Sequence, residues 1–212
     1  MSYQSVVATA LSGASTRQLS YWRSSRSAEG PLLSPTFHGS RVGYSFQDVV
    51  ALRAFVYLRA KDVPLQRVRK AVQHLRQLGE TEHLSSCELL AVGKDIVWRI
   101  SGDTALDLTK QPGNYVIAEM VDILAAFRNA SDHVAVPLRE PIPGLAVDPD
   151  VRGGFPVVEG TLVPYDMVSA LVRDGVPPEE VADYYPSVSP EAALGARDFA
   201  AYVDQYRDKA AA

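Results

Sequence analysis

The chain has 212 residues, 47% of them hydrophobic and 22% charged, which is the composition of a folded globular protein and not of a disordered one. A net charge of −4 argues against a nucleic-acid partner only if it is spread evenly. It is not: residues 1–80 carry 11 Lys/Arg against 4 Asp/Glu, while residues 81–212 carry 10 against 21, so a basic N-terminal part is joined to an acidic C-terminal one.

The lone cysteine, Cys87, excludes an intrachain disulfide and any multi-cysteine zinc site. The four histidines, His38, His74, His83 and His133, have no paired ligand spacing. No apolar run approaches the ~20 residues of a membrane span, and the N-terminus lacks the basic and long apolar regions of a signal peptide. No repeat of ~20–50 residues occurs. The expectation is a cytoplasmic protein with no metal, no cofactor and no membrane partner.

In chain order, Ser5 to Leu11 predicts a short helix, Gly13 a turn, and Ser15 with Gln18 a capping box opening a second helix over Thr16 to about Ser24. Two short helices around a glycine turn form a helix-turn-helix. Residues 27–44, with Gly30, Pro31, Pro35, Gly39 and Gly43, predict a ribbon or wing. Ser45 and Asp48 cap a helix to about Ala60, and Pro64 opens another that runs to about Leu78 and ends at Gly79. Leu89 to Val92, Ile96 to Ile100 and Tyr115 to Ala118 predict strands, and Glu119 to Phe127 a short helix. Residues 129–144, polar and proline-bearing, read as a linker. Three C-terminal helices follow: Tyr165 to Asp174, Pro177 to Tyr184, and a last one capped by Ser189-Pro190. The whole reads as a mainly α, α+β chain in three parts: a winged helix-turn-helix over 1–80, a β-rich, hairpin-like connector over 81–130 that is a candidate for dimerisation, and a small three-helix domain over 140–209.

The second helix carries the main chemical signal. Arg17 and Arg23 suit phosphate, Arg17 also a guanine edge. Gln18, Ser20 and Tyr21 can hydrogen-bond backbone or bases. His38 and Arg41 lie in the wing, and Arg53, Arg59 and Lys61 read as solvated helix-face charges. By themselves these residues fit an ordinary basic surface helix equally well.

Ser15-Thr16-Arg17-Gln18-Leu19-Ser20-Tyr21-Trp22 resembles the recognition helix of MerR-type winged helix-turn-helix regulators, and Arg41 to Arg53 resembles the end of their wing and the helix after it. Ser20 stands where that family's "LRYY" pattern has arginine, and the sensing cysteines of its metal-responsive members are missing. The resemblance, over about residues 3–78, implies operator binding as a dimer through Ser15, Thr16, Arg17, Gln18, Ser20, Tyr21, Arg23, His38 and Arg41.

In the C-terminal part, Asp148-Pro149, Gly153-Gly154-Phe155-Pro156, Gly160-Thr161, Gly175 to Val181 and Tyr184-Tyr185-Pro186 resemble a small trihelical domain of VapB-type antitoxins, with Leu162 in place of the usual arginine. This resemblance implies a PIN-domain, VapC-type ribonuclease toxin as partner, in a hetero-oligomer. Arg197 and Arg207 are candidates to pair with its metal-binding carboxylates, and Phe199, Tyr202 and Tyr206 to dock against it. The competing expectation is a MerR-type regulator that answers a small molecule through residues 84–130. An enzyme is not expected, because the sequence has no nucleophile elbow, phosphate loop or metal-ligand cluster.

Overall fold

A computed structural model describes residues 2–24, 30–37, 42–77, 88–92, 95–100, 104–107 and 120–211. Its architecture is mainly α with small strands, the α+β class expected. The N-terminal part runs β1 (Tyr3–Gln4), α1 (Ser5–Ser12), α2 (Thr16–Arg23), β2 (Gly43–Tyr44), α3 (Phe46–Ala60) and α4 (Leu65–Gln77). Next come β3 (Glu88–Val92), β4 (Asp95–Ile100), β5 (Thr104–Asp107), α5 (Met120–Leu124), β6 (Phe127–Arg128) and β7 (Val134–Ala135). The chain closes with β8 (Leu145–Ala146), β9 (Val157–Val158), α6 (Tyr165–Arg173) and α7 (Pro190–Ala211), with 3-10 turns at Arg152–Gly154 and Pro178–Asp183. The second of these turns stands where the middle C-terminal helix was expected.

All the described strands pair antiparallel. β1 and β2 set Tyr3 opposite Tyr44, and Phe37 bridges Gly43 on the other side, so a small ribbon forms at the base of the expected wing. β3, β4 and β5 form a meander that pairs Leu89 with Trp98 and Trp98 with Leu106. The strand expected at Tyr115 to Ala118 and the helix end expected at Leu78 and Gly79 lie outside the described residues.

α3 is the central helix. From Asp48 to Leu58 every residue is buried, because α1, α4, α5 and the β6–β7 hairpin surround it. The C-terminal part packs directly on the N-terminal one. α7 lies against α1 and α2, and the Tyr202 hydroxyl donates to the Ala10 carbonyl at 3.1 Å. The Tyr3 hydroxyl donates to the Gly154 carbonyl. Ring contacts run from Tyr3 through Phe155, Tyr165, Phe199 and Tyr202 to Tyr206, with centroids 4.8 to 6.2 Å apart. One apolar core therefore joins the first strand to the last helix.

Two sequence expectations change here for one reason. Residues 129–144 are folded and not a linker: Phe127–Arg128 pairs with Val134–Ala135, and Ala135 and Leu138 are fully buried. The helix expected to reach Phe127 stops at Leu124. Both follow from Arg53, which is a buried side chain and not a solvated one. Its guanidinium donates to the carbonyls of Leu11, Ile123, Leu124, Ala125 and Val136, and it lies 5.0 Å from the Phe127 ring centroid. The chain from 123 to 136 is drawn around this group. Of the other two expected surface charges, Arg59 donates to the Val63 carbonyl, while Lys61 is exposed beside the Tyr57 ring.

Candidate nucleic-acid interface

α1 ends at Gly13, whose φ of +73° turns the chain into the left-handed region and whose N–H donates to the Thr9 carbonyl. Ser15 then opens α2. Its Oγ accepts from the Gln18 N–H at 3.1 Å, and Gln18 Oε1 accepts from the Ser15 N–H at 2.8 Å, which is the capping box the sequence predicts. Replacing Ser15 with alanine should lower stability by about 1 kcal/mol. A urea denaturation curve with an unchanged midpoint would show that the cap does not hold the helix.

The capping box also separates the candidate residues by role. The Ser15 and Gln18 side chains are engaged with the helix's own backbone. Leu19 and Trp22 point inward, with Trp22 edge-on to Phe55 at 5.8 Å. That leaves Arg17, Ser20, Tyr21 and Arg23 exposed on one face, with Thr16 half-buried. Together with Pro35 and Val42 at the ribbon's edge, these four exposed side chains line a cleft of about 640 Å³. Tyr44 is buried, and burial raises its phenol above the usual range, partly offset by the positive charge of Arg23. His38 and Arg41 lie outside the described residues.

Arg69, which sequence reasoning did not single out, belongs to this face. It is buried, donates to the Gly30 carbonyl at 3.2 Å and sits 5.4 Å from the Tyr21 ring centroid, so α4 supports the exposed tyrosine from behind. The only sequence signal for it was the run of basic residues opening α4.

The other candidate set, along α7, is more divided. Phe199 is fully buried between Tyr165 and Tyr202, so it is a core residue with no surface to offer a partner. Tyr202 is half-buried, and its hydroxyl is 3.1 Å from that of Tyr206. Arg197 and Arg207 are exposed. Arg197 pairs with Asp198 at 2.7 Å and Arg207 lies 3.6 Å from Asp204, which also holds Arg173 at 2.5 Å. No group of three or more metal-ligating side chains occurs among the described residues, and no helix there is long and apolar enough to cross a membrane.

Fold and surface together define a mainly helical α+β protein built on a helix-turn-helix pair that leaves one basic, hydrogen-bonding helix face open. Its relatives fall in the same area. Residues 145–200 match the family described as "Protein of unknown function (DUF433)". An uncharacterized HTH-type transcriptional regulator of Mycobacterium tuberculosis is 30% identical over 106 residues, 50% of this chain and 47% of that protein, and one from Mycobacterium bovis matches equally. The chain thus spans about half the length of the curated regulators it matches. The M. tuberculosis protein named "Putative antitoxin VapB45" is 28% identical over 184 residues, 79% of this chain and 77% of that one. The crystal structure of Rv2018 from M. tuberculosis shares the fold, with a TM-score of 0.51 at 18% identity over 92% of this chain and 96% of that one.

Proposed function

We propose that the chain is the antitoxin of a type II toxin–antitoxin pair and the repressor of its own operon. In this reading it acts in the cytoplasm as a homodimer with a MerR-like N-terminal domain. It sets α2 into two major-groove half-sites, and residues 140–209 bind and block a PIN-domain ribonuclease. It is not itself an enzyme and needs no cofactor. The observation that carries the reading is the exposed face of α2, where Arg17, Ser20, Tyr21 and Arg23 stand free of the capping box. The antitoxin relative, which aligns over most of both chains, supports the same reading. The toxin contact falls to the exposed Arg197 and Arg207 and the half-buried Tyr202 and Tyr206.

The test has two arms. Co-expression with the product of the neighbouring reading frame should give a complex whose ribonuclease activity appears only when the antitoxin is removed. A neighbour that neither co-purifies nor cleaves RNA would overturn the antitoxin half. For the DNA half, Arg17→Ala should weaken operator binding in gel shifts by about 1–3 kcal/mol, roughly 5- to 150-fold. Unchanged affinity would remove α2 from the interface. Both arms need the full chain, because a fragment ending near residue 80 lacks four of the five carbonyls that hold Arg53.

A small-molecule reading would place its ligand not in residues 84–130, where the sequence put the sensor, but in a groove of about 770 Å³ between α1, α6 and α7, lined by Phe155, Tyr165, Arg152 and Arg173. Its size suits a small ligand. Operator affinity that responds to a metabolite extract in the absence of any toxin would favour that reading.

A further inference from the structure

The β6–β7 hairpin is fastened to the turn between α1 and α2. Asn129 Nδ2 donates to the Gly13 carbonyl at 2.8 Å. Its Oδ1 accepts from the backbone N–H groups of Ser131 and His133 at 2.9 and 3.0 Å, so one side chain both shapes the hairpin tip and ties it to the helix-turn-helix. The chain reverses at Asp132, with φ of +60°.

This fastening fixes a position. Ser131 and His133 line one small cavity, about 130 Å³, with Thr16 and Arg17 at the start of α2. Toward its other end, α2 borders the cleft edged by Pro35 and Val42, and Arg17 lines both spaces. A β-ribbon therefore stands on each side of the exposed helix. The hairpin side is rich in donors: Ser131, His133 and Arg128 are all exposed, and Lys61 shares a further recess with Arg128. Arg128 pairs with Asp132 at 3.0 Å, but both groups are largely in water, where such a pair holds weakly.

We propose that the β6–β7 hairpin is a second wing, and that Ser131, His133 and Arg128 contact the sugar–phosphate backbone beside the groove that α2 enters. The proposal rests on the DNA-binding reading of α2. A major groove is walled by phosphates on both sides, so a helix seated in it brings backbone to whatever flanks the helix. The hairpin tip offers hydroxyl, imidazole and guanidinium groups, the chemistry that holds phosphate and sets register without reading sequence. It is also continuous with Arg17.

The test uses the full chain and a duplex it selects from a randomised pool, in two lengths: the selected site alone, and the site with flanking base pairs. His133→Glu sets a carboxylate against phosphate and should weaken binding of the long duplex about tenfold or more. It should leave the short duplex unaffected and remove hydroxyl-radical protection of the flank. Ser131→Glu, at the same exposed tip, should do the same, and unchanged thermal melts of both variants establish that the fold is kept. Arg17→Ala should weaken both lengths equally. If no duplex is selected, or Arg17→Ala binds normally, the reading of α2 fails and the second wing fails with it. If Arg17→Ala is impaired while both tip variants bind the long duplex normally, only the second wing is overturned. The same holds if the tip variants weaken both lengths alike, or if they spare DNA and instead release the toxin.

Discussion

Replacing Arg53 with methionine should destabilise the protein by about 3–5 kcal/mol, because each buried carbonyl left without a donor costs about 1–3 kcal/mol. For a chain of this size that lowers the thermal midpoint by roughly 6–20 °C, readable by circular dichroism. The guanidinium is fully buried, and among the described residues no carboxylate is a hydrogen-bond partner of it. Five carbonyls do that work. Those of Leu11, Ile123 and Ala125 lie at the C-terminal ends of α1 and α5, where the helix dipoles are negative, while that of Leu124 also accepts from the Leu138 N–H at 2.8 Å. Burial lowers the Arg53 pKa to about 10, which still leaves it charged at neutral pH. Methionine fills similar space but strands these carbonyls in an apolar setting. Arg53→Lys should recover little, since a single ammonium cannot reach acceptors spread across the planar fork. A methionine variant that melts with the wild type would show that the carbonyls find other donors.

Arg53 also marks where sequence reading ends. The helix starts were legible because their signals are local: Ser15 with Gln18 and Ser45 with Asp48 are both formed capping boxes. The face of α2 was legible too, since Leu19 and Trp22 are its only buried residues. Arg53 looked like a surface charge because its acceptors lie some 40 to 80 residues away and are backbone groups with no sequence signature. The two-residue strands β1, β2 and β6 to β9 are too short to show an alternation. Residues 129–144 read as a linker because their prolines are visible, whereas the bond from Asn129 to Gly13 spans 116 positions. In the site, Gln18 matched two patterns at once, a reader of bases and a capping partner, and only the geometry assigns its side chain to the cap.

Gly13→Ala should cost about 2–5 kcal/mol, and the cost should divide into two measurable parts. At φ of +73° an L-residue is strained by about 1–2 kcal/mol. In addition, a Cβ there falls 2.7 Å from Ala135 Cβ, which is closer than packed carbons tolerate. Overpacking of this kind typically costs about 1–3 kcal/mol. Making the same change in an Ala135→Gly background removes the steric part and leaves the backbone part. The double-mutant cycle should therefore give a coupling of about 1–3 kcal/mol from urea denaturation. Zero coupling would mean that the hairpin is not seated on the turn. The partition bears on function as well, because the carbonyl that anchors Asn129 belongs to this same glycine. A side chain at residue 13 can relieve the clash only by moving the hairpin off the turn, and Ser131 and His133 then leave the start of α2. Ala135→Gly should restore their position and the steric part of the stability, so DNA affinity should recover while the melting point recovers only in part in the double variant.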